Sequence, residues 1–194
     1  MFTDLLSSYR VNIFGNPQAN GLDSKVNLGL LDQRLAMEWV RSNIANFGGD
    51  VSKITMWGQS AGAGSVDYYN FAYPDDPIVS GIILDSSSAL SSGSGNVETG
   101  SNFTFVAEQL GCANLTATEE LSCMKNVSFM EIEEFLKSYQ DGGDMPTIRF
   151  TPQADNETRF ANYTERTLAG NFSKVVGTRS FEIHTQPFPL VQRS

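Results

Sequence analysis

The sequence is poor in histidine, cysteine and positive charge. Its 194 residues contain one histidine, two cysteines and 13 Lys plus Arg against 22 Asp plus Glu, a formal net charge of −9. Nucleic-acid binding needs a basic face, so this balance argues against a nucleic-acid partner. The few Cys and His residues cannot supply four zinc ligands, so we expect no metal site. A mechanism that needs a histidine must use His184 or a residue that this chain lacks.

Long apolar runs are also absent, because no stretch approaches the roughly 20 residues that a membrane-spanning helix requires. The first residues have no charged region, apolar core or cleavage site of the kind that marks a signal peptide. The missing signal peptide contradicts the secreted composition that the sequons described next indicate.

Six N-x-Ser/Thr sequons begin at Asn102, Asn114, Asn126, Asn156, Asn162 and Asn171. Chance would give about two or three, so the excess favours a glycosylated, secreted protein over unused sequons in a cytosolic one. We therefore expect the chain to begin inside a longer, secreted parent. In an oxidising compartment Cys112 and Cys123 are predicted to form a short-loop disulfide, and two buried free thiols are the alternative.

Strand and helix patterns alternate through the first third of the chain. The expected strands are residues 9–14, 54–57 and 81–84, the second of them buried, with one helix after Asn27 and another from Ala61 to about Asn70. This order predicts the α/β class, with a mostly parallel sheet and right-handed crossovers. A last strand is predicted at residues 174–177.

The helix after Asn27 is expected to be capped by that side chain and to end at Gly48-Gly49. Its expected core-facing stripe is Leu28, Leu31, Leu35 and Trp39, widened by Met37, Val40 and Ile44, whereas Asp32, Arg34, Glu38 and Arg41 are expected to face water.

The remainder of the chain has weaker patterns. Residues 86–101 are a Ser/Gly-rich loop, and a helix is expected from Phe103 to Leu110. Ser128 and Glu131 form a capping-box pattern ahead of a second amphipathic helix. Residues 141–162 are predicted to be mostly loop.

One motif carries chemistry. Gly58-Gln59-Ser60-Ala61-Gly62 matches G-x-S-x-G where a strand should turn into a helix. In that setting the serine lies on a strained turn with its hydroxyl exposed, and the two glycines let strand and helix approach. The N–H of Ala61, at the helix N-terminus, can stabilise an oxyanion. The alternative is a glycine-bounded turn with an inert serine.

Several motifs in a fixed order resemble the type-B carboxylesterase, lipase and cholinesterase family, in particular its fungal members. They are Tyr9-Arg10-Val11-Asn12-Ile13-Phe14-Gly15, Asn27-Leu28-Gly29-Leu30-Leu31-Asp32-Gln33-Arg34, Trp39-Val40, Asn43-Ile44, Phe47-Gly48-Gly49-Asp50 and Gly58-Gln59-Ser60-Ala61-Gly62-Ala63. The resemblance implies an α/β-hydrolase fold and cofactor-free ester hydrolysis by a Ser-His-Glu triad. Its expected substrates are small-molecule or lipid esters.

Carried over by position, the resemblance makes Ser60 the nucleophile and Ala61 an oxyanion donor. Gln59 stands where many relatives have Glu. Glu182 is the candidate triad acid, because residues 177–182 fit the spacing of a family pattern, although Ile183 replaces its glycine. An ordinary exposed Glu is the alternative. The Cys112 and Cys123 pair is similar to a family disulfide.

Two parts of the family machinery have no counterpart in the sequence: the glycine-rich oxyanion loop and a remote catalytic histidine. His184 lies two residues after Glu182 and is expected to face solvent. We therefore expect residues 1–194 to be a fragment of one domain, with an incomplete sheet and little activity alone. Within it, residues 1–85 form the sheet core and residues 86–194 a helical and loop insertion followed by a strand. A catalytically silent interaction module and a non-functional gene-model fragment are the alternatives.

Overall fold

Three short parallel strands and the helices around them make up the fold. The computed structural model describes residues 3–19, 27–90, 102–143 and 147–180. In chain order the elements are α1 Asn12–Gly15, α2 Leu28–Asn43, a 3₁₀ turn Ile44–Phe47, β1 Thr55–Gln59, α3 Ala61–Ala72, β2 Gly81–Asp85, α4 Asn102–Gln109, α5 Ala117–Met124, α6 Phe129–Asp141, α7 Tyr163–Leu168 and β3 Val176–Ser180.

The sheet has the strand order β1-β2-β3, and both pairs are parallel. Helix α3 connects β1 to β2, as a parallel pair requires. These strands confirm the α/β class and the predictions at 54–57, 81–84 and, two residues later than expected, 174–177. Among the described residues the sheet is therefore a small parallel core with its carboxyl ends at one edge.

Within the described residues, only one face of this sheet is covered. Leu84 is buried in a cluster with Val66 of α3, whereas Trp57 and Val176 on the other face are 69% and 77% exposed. The expectation that residues 54–57 are a buried strand is therefore wrong. In the part of the chain that the structure describes, β1 is an edge strand with a neighbour on one side only.

The predicted strand at residues 9–14 is also wrong, because the segment is irregular up to α1. The backbone N–H and the guanidinium of Arg10 donate to the Asp32 carboxylate, at 2.6 to 3.0 Å. A Cβ at Gly15 or at Gly29 would lie 2.3 Å from the Arg10 carbonyl oxygen. The segment is thus attached to α2, and Asp32 does not simply face water as expected.

The predicted core-facing stripe of helix α2 is confirmed only in part. Leu35 and Trp39 are 65% and 51% exposed, while Leu30 is buried. Met37 and Val40, which were expected to widen the stripe, do pack against the cluster between the sheet and α3, and Ile44 is buried as expected. Apolar residues occur around most of the helix, so the pattern alone does not select the buried sector. The helix ends as expected, in a 3₁₀ turn closed by Gly48 with a φ of 78°.

Arg34 was expected to face water, but its side chain is only 13% exposed. Its guanidinium donates to the carboxylates of Glu38 and Asp76 and to the Tyr69 hydroxyl. Asp76 also pairs with Arg41. Because these partners come from α2, α3 and the segment after α3, the network joins the helix to the chain that leads into β2.

The side chain of Asn27 makes no capping bond to α2, contrary to expectation. Its amide donates instead to the Gln153 carbonyl at 2.7 Å and the Thr158 hydroxyl at 2.9 Å. Asp155 lies in the same loop as Gln153 and Thr158. Burial raises the pKa of its carboxyl, but the hydrogen bonds from the Arg159 N–H, the Thr158 hydroxyl and nearby N–H groups have the larger effect, so the pKa is lowered. Asn27 thus anchors the loop at 147–160, which the sequence predicted as irregular.

Helices α4 to α6 enclose a core of their own, which includes Val106, Ile132 and also Ile13 from the N-terminal segment. The predicted disulfide is present, with the Cα atoms of Cys112 and Cys123 5.9 Å apart. The expected capping box at Ser128 and Glu131 is confirmed, and Thr116 and Glu119 form a second one on α5. We call residues 102–141 the helical unit.

No helix within the described ranges is long and apolar enough to cross a membrane. The same residues contain no group of three His, Cys, Asp or Glu side chains arranged to hold a metal ion.

Candidate active site

Ser60 lies in the turn between β1 and α3, with φ 52° and ψ −118°. A positive φ is uncommon for a residue that has a side chain. Two backbone bonds hold it there: the Ser60 N–H donates to the Asp85 carbonyl at 2.8 Å, and the Gly64 N–H donates to the Ser60 carbonyl at 3.1 Å. Ser60 is exposed. The structure therefore has the strained strand-to-helix serine turn that the motif predicted.

The two motif glycines differ in how tightly they are surrounded. A Cβ at Gly58 would lie 2.3 Å from the carbonyl carbon and oxygen of Gly62 and 2.7 Å from the backbone nitrogen of Ala63. A Cβ at Gly62 would have no described atom within 4 Å. Gly58 is therefore required for the close approach of β1 and α3, whereas the described contacts give no such reason for Gly62.

Ala61 is the first residue of α3 and is exposed. The N–H groups of the first helical turn have no acceptor within the helix, and they carry partial positive charge. Ser60 and Ala61 thus place an exposed hydroxyl next to a helix N-terminus. This arrangement suits a reaction in which negative charge develops close to the serine, although the role of Ala61 as a donor remains a prediction.

A second strained serine lies beside Ser60 and was not predicted. Ser86 follows β2 directly, has a φ of 62° and is exposed. The register pairs Gln59 with Asp85, so Ser60 and Ser86 are the next residues along the two neighbouring strands. The Ser86 hydroxyl donates to Asp85 Oδ1 at 3.1 Å. The run of serines directly after a predicted strand was the available signal.

Strand β3 ends at the same edge, because the register pairs Asp85 with Ser180. The chain therefore leaves β3 two residues before Glu182, on the side of the sheet where Ser60 lies. Glu182 and His184 themselves fall outside the described residues, so their predicted roles remain predictions.

The sequon asparagines are mostly on the surface: Asn114, Asn126, Asn156, Asn162 and Asn171 are exposed. Asn102 is half-buried, and its amide donates to the Arg149 carbonyl at 2.8 Å. Several sequon hydroxyls also have structural partners. Thr116 and Ser128 cap helices, and Thr158 binds Asp155. Local structure therefore accounts for part of the sequon excess.

A sequence model of the carboxylesterase family matches residues 6–185. The chain is 50% identical to a chlorogenic acid esterase of Aspergillus niger over 176 residues and 44% identical to secreted lipase 5 of Gibberella zeae over 173 residues. These alignments cover 88% and 86% of the chain but 32% of each relative, so the chain spans about a third of their length. Neuroligin-3 of Mus musculus is 34% identical over 127 residues, which is 66% of the chain and 15% of that protein.

Proposed function

Since the chain belongs to the carboxylesterase family, we propose that it supplies the nucleophile of a serine carboxylic ester hydrolase. The observation that carries this proposal is the backbone of Ser60, an exposed serine with a φ of 52° between a strand and a helix. Backbone strain of this kind costs on the order of 1–3 kcal/mol and persists only where the surrounding structure maintains it. Ser60 differs from the other strained serine, Ser86, because it lies in the G-x-S-x-G turn and directly precedes the N-terminus of a helix.

In the proposed reaction the Ser60 Oγ attacks the carbonyl carbon of the ester. A histidine takes the Ser60 proton and passes it to the departing alcohol, and water then hydrolyses the acyl-enzyme. The N–H of Ala61 stabilises the oxyanion of each tetrahedral intermediate. Glu182 is the proposed acid that orients the histidine. We assign the histidine to a part of the protein other than the described residues.

The substrates proposed here are small-molecule or lipid carboxylic esters. The names of two relatives, a chlorogenic acid esterase and a secreted lipase, support this class and a secreted parent protein. The exposed sequon asparagines are compatible with N-glycosylation of that parent. The two relatives also suggest a direct comparison of substrates, in which chlorogenic acid and a triacylglycerol are offered to the same preparation.

The test is covalent labelling of the protein expressed from its complete coding sequence. A fluorophosphonate probe reacts with an activated serine, so we expect stoichiometric labelling of Ser60, located by peptide mass spectrometry, together with hydrolysis of a p-nitrophenyl ester. Ser60→Ala should abolish both, whereas Ser52→Ala, a change at an exposed loop serine, should affect neither. A folded wild-type protein that neither labels nor hydrolyses esters would contradict the proposal and would favour the non-catalytic interaction module.

A further inference from the structure

A buried polar network runs along α3, behind the candidate nucleophile. Asp67 lies seven residues after Ser60, two helical turns along α3, and its side chain is fully buried. One oxygen of its carboxylate accepts from the Ala89 N–H at 2.8 Å, and the other accepts from the Asn70 side-chain amide at 3.4 Å. Neither the predicted triad nor the oxyanion site uses this carboxylate.

The network continues to the segment before β3. The Ser173 hydroxyl donates to the Asn70 side-chain oxygen, and the Ser173 N–H donates to the Asn70 carbonyl at 3.0 Å. Asn70 and Ser173 are buried, as is Ala89. We call these four residues, Asp67, Asn70, Ser173 and Ala89, the Asp67 clamp. It ties together three separate stretches of chain: α3, the segment after β2 and the segment before β3.

The segment after β2 is next to the candidate nucleophile at one end and held by the clamp at the other. It begins at Asp85, whose carbonyl accepts the Ser60 N–H, and continues through the strained Ser86. Ser87 lies against the first turns of α3, since a Cβ at Gly64 would be 3.8 Å from the Ser87 hydroxyl. Ala89 then ends the run in an aromatic cluster that includes Tyr163.

We propose that Asp67 is a positioning residue, which fixes residues 86–89 beside Ser60 by accepting the Ala89 N–H. This role rests on the proposed esterase function. The positions of Ser86 and Ser87 depend on an anchor at each end, and the Asp67 carboxylate is the polar part of the distal one. A buried N–H that loses its acceptor destabilises the conformation that buries it, so residues 86–89 would move away from α3. Displacements of about 1 Å near reacting groups can cost about a hundredfold in rate.

The test compares two substitutions in the protein expressed from its complete coding sequence. Asp67→Leu is similar in size but removes the acceptor, whereas Asp67→Asn keeps an oxygen for the Ala89 N–H. Glu120→Leu is the matched control, because Glu120 is a buried carboxylate in the helical unit that accepts from the Thr104 hydroxyl at 3.0 Å. The measurements are kcat, calculated per fluorophosphonate-labelled serine, and KM. The melting temperature and the amide hydrogen exchange of residues 86–90 are measured on the same proteins.

We expect Asp67→Leu to lower kcat per labelled serine at least about tenfold and to speed hydrogen exchange at residues 86–90. Asp67→Asn should lose about threefold, because it reorients Asn70 but retains the acceptor. Glu120→Leu should leave the rate per labelled serine unchanged. A merely structural role for Asp67 would lower the melting temperature and the labelled fraction without changing the rate per labelled serine, and that result would overturn the proposal.

If Asp67→Leu does not fold, Asp67→Ala, which also removes the acceptor but places no bulk against Ala89, decides the matter: unchanged exchange and turnover contradict the proposal, and changes in both support it. If the wild-type protein neither labels at Ser60 nor hydrolyses esters, the proposed function fails and the catalytic role of Asp67 fails with it. The exchange data would then still show separately whether Asp67 holds residues 86–90 in place.

Discussion

The helical unit and the rest of the described chain, which we call the sheet region, are stabilised in different ways. The helical unit has a disulfide, a capping box at the start of each of two helices and a buried core around Val106. The sheet region has one face covered by α3 and leaves Trp57 and Val176 largely exposed on the other. Local interactions therefore stabilise much of the helical unit, although Ile13 also joins its core. The sheet region, which carries Ser60, depends more heavily on contacts between distant segments.

This difference bears directly on the candidate site. Ser60 is held by a bond to Asp85, and Asn27 anchors a loop that lies 126 residues further along the chain. Chemistry placed at such a junction is sensitive to changes in several segments. We expect substitutions in the sheet region to reduce both stability and reactivity, and those in the helical unit to reduce stability alone.

The largest effect should come from Gly58→Ala. The added Cβ would lie 2.3 Å from backbone atoms of Gly62, and backbone cannot rotate away as a side chain can. We expect a loss of at least about 3 kcal/mol, the upper end of the range for overpacking, together with loss of Ser60 labelling. Gly62→Ala is the matched control and should be tolerated. Equal effects in thermal unfolding and labelling would contradict the asymmetry between the two glycines.

Removing the disulfide should test the helical unit in isolation. Replacing Cys112 and Cys123 together by serine releases a short loop, for which the loop-entropy estimate gives about 3 kcal/mol. We expect a lower melting temperature and unchanged Ser60 labelling at temperatures below the transition. Reducing agent should reproduce the shift in the wild-type protein and leave the double variant unaffected. Loss of labelling in the folded variant would mean that the two regions are coupled.

Asp155 should make the loop after the helical unit sensitive to acid. Because its pKa is lower in the folded protein, its contribution to stability is present above the ordinary Asp value of about 3.9 and is lost as the pH falls through the lowered value. We expect Asp155→Asn to cost about 2 kcal/mol at pH 7, with the difference from wild type shrinking below about pH 4. Thermal unfolding of wild type and Asp155→Asn between about pH 3 and pH 7 measures this difference, and a difference that does not change with pH would contradict the role of Asp155.

The smallest effects should come from the capping boxes. Thr116→Ala and Ser128→Ala each remove a cap and should cost about 1 kcal/mol, measured by denaturant unfolding. Both changes also remove a sequon, so the protein should be produced without N-glycans. Ser138→Ala on α6 is the control, because the exposed Ser138 hydroxyl donates, among the described residues, to carbonyls of its own helix, those of Glu134 and Phe135. A cost at Ser138 equal to that at Ser128 would contradict the assignment.

Elements with local signals were predicted well. The capping box at Ser128 marks the start of α6 within its own first turn, and the glycine at position 48 marks the end of the turn after α2. The serine turn at Ser60 was predicted because the residues next to it in the sequence form the motif that is typical of such a turn. In each case the residues that define the element are adjacent in sequence.

Features that depend on distant partners were missed. Residues 9–14 alternate like a strand, but Arg10 binds Asp32 of α2 instead of joining a sheet. The buried face of α2 is selected by packing against α3 and the sheet cluster, which its own periodicity does not specify. The Asp67 clamp could not be predicted either, since its hydrogen bonds reach from α3 to Ala89 and Ser173.

The exposure of Trp57 on the uncovered face of the sheet makes that face accessible to fluorescence measurements. The chain has two tryptophans, and both Trp39 and Trp57 are more than half exposed. Indole fluorescence shifts to shorter wavelength when water around the ring is replaced by apolar groups. If a segment or partner covers Trp57, the tryptophan emission should therefore shift to shorter wavelength, and this shift can be measured without an added label.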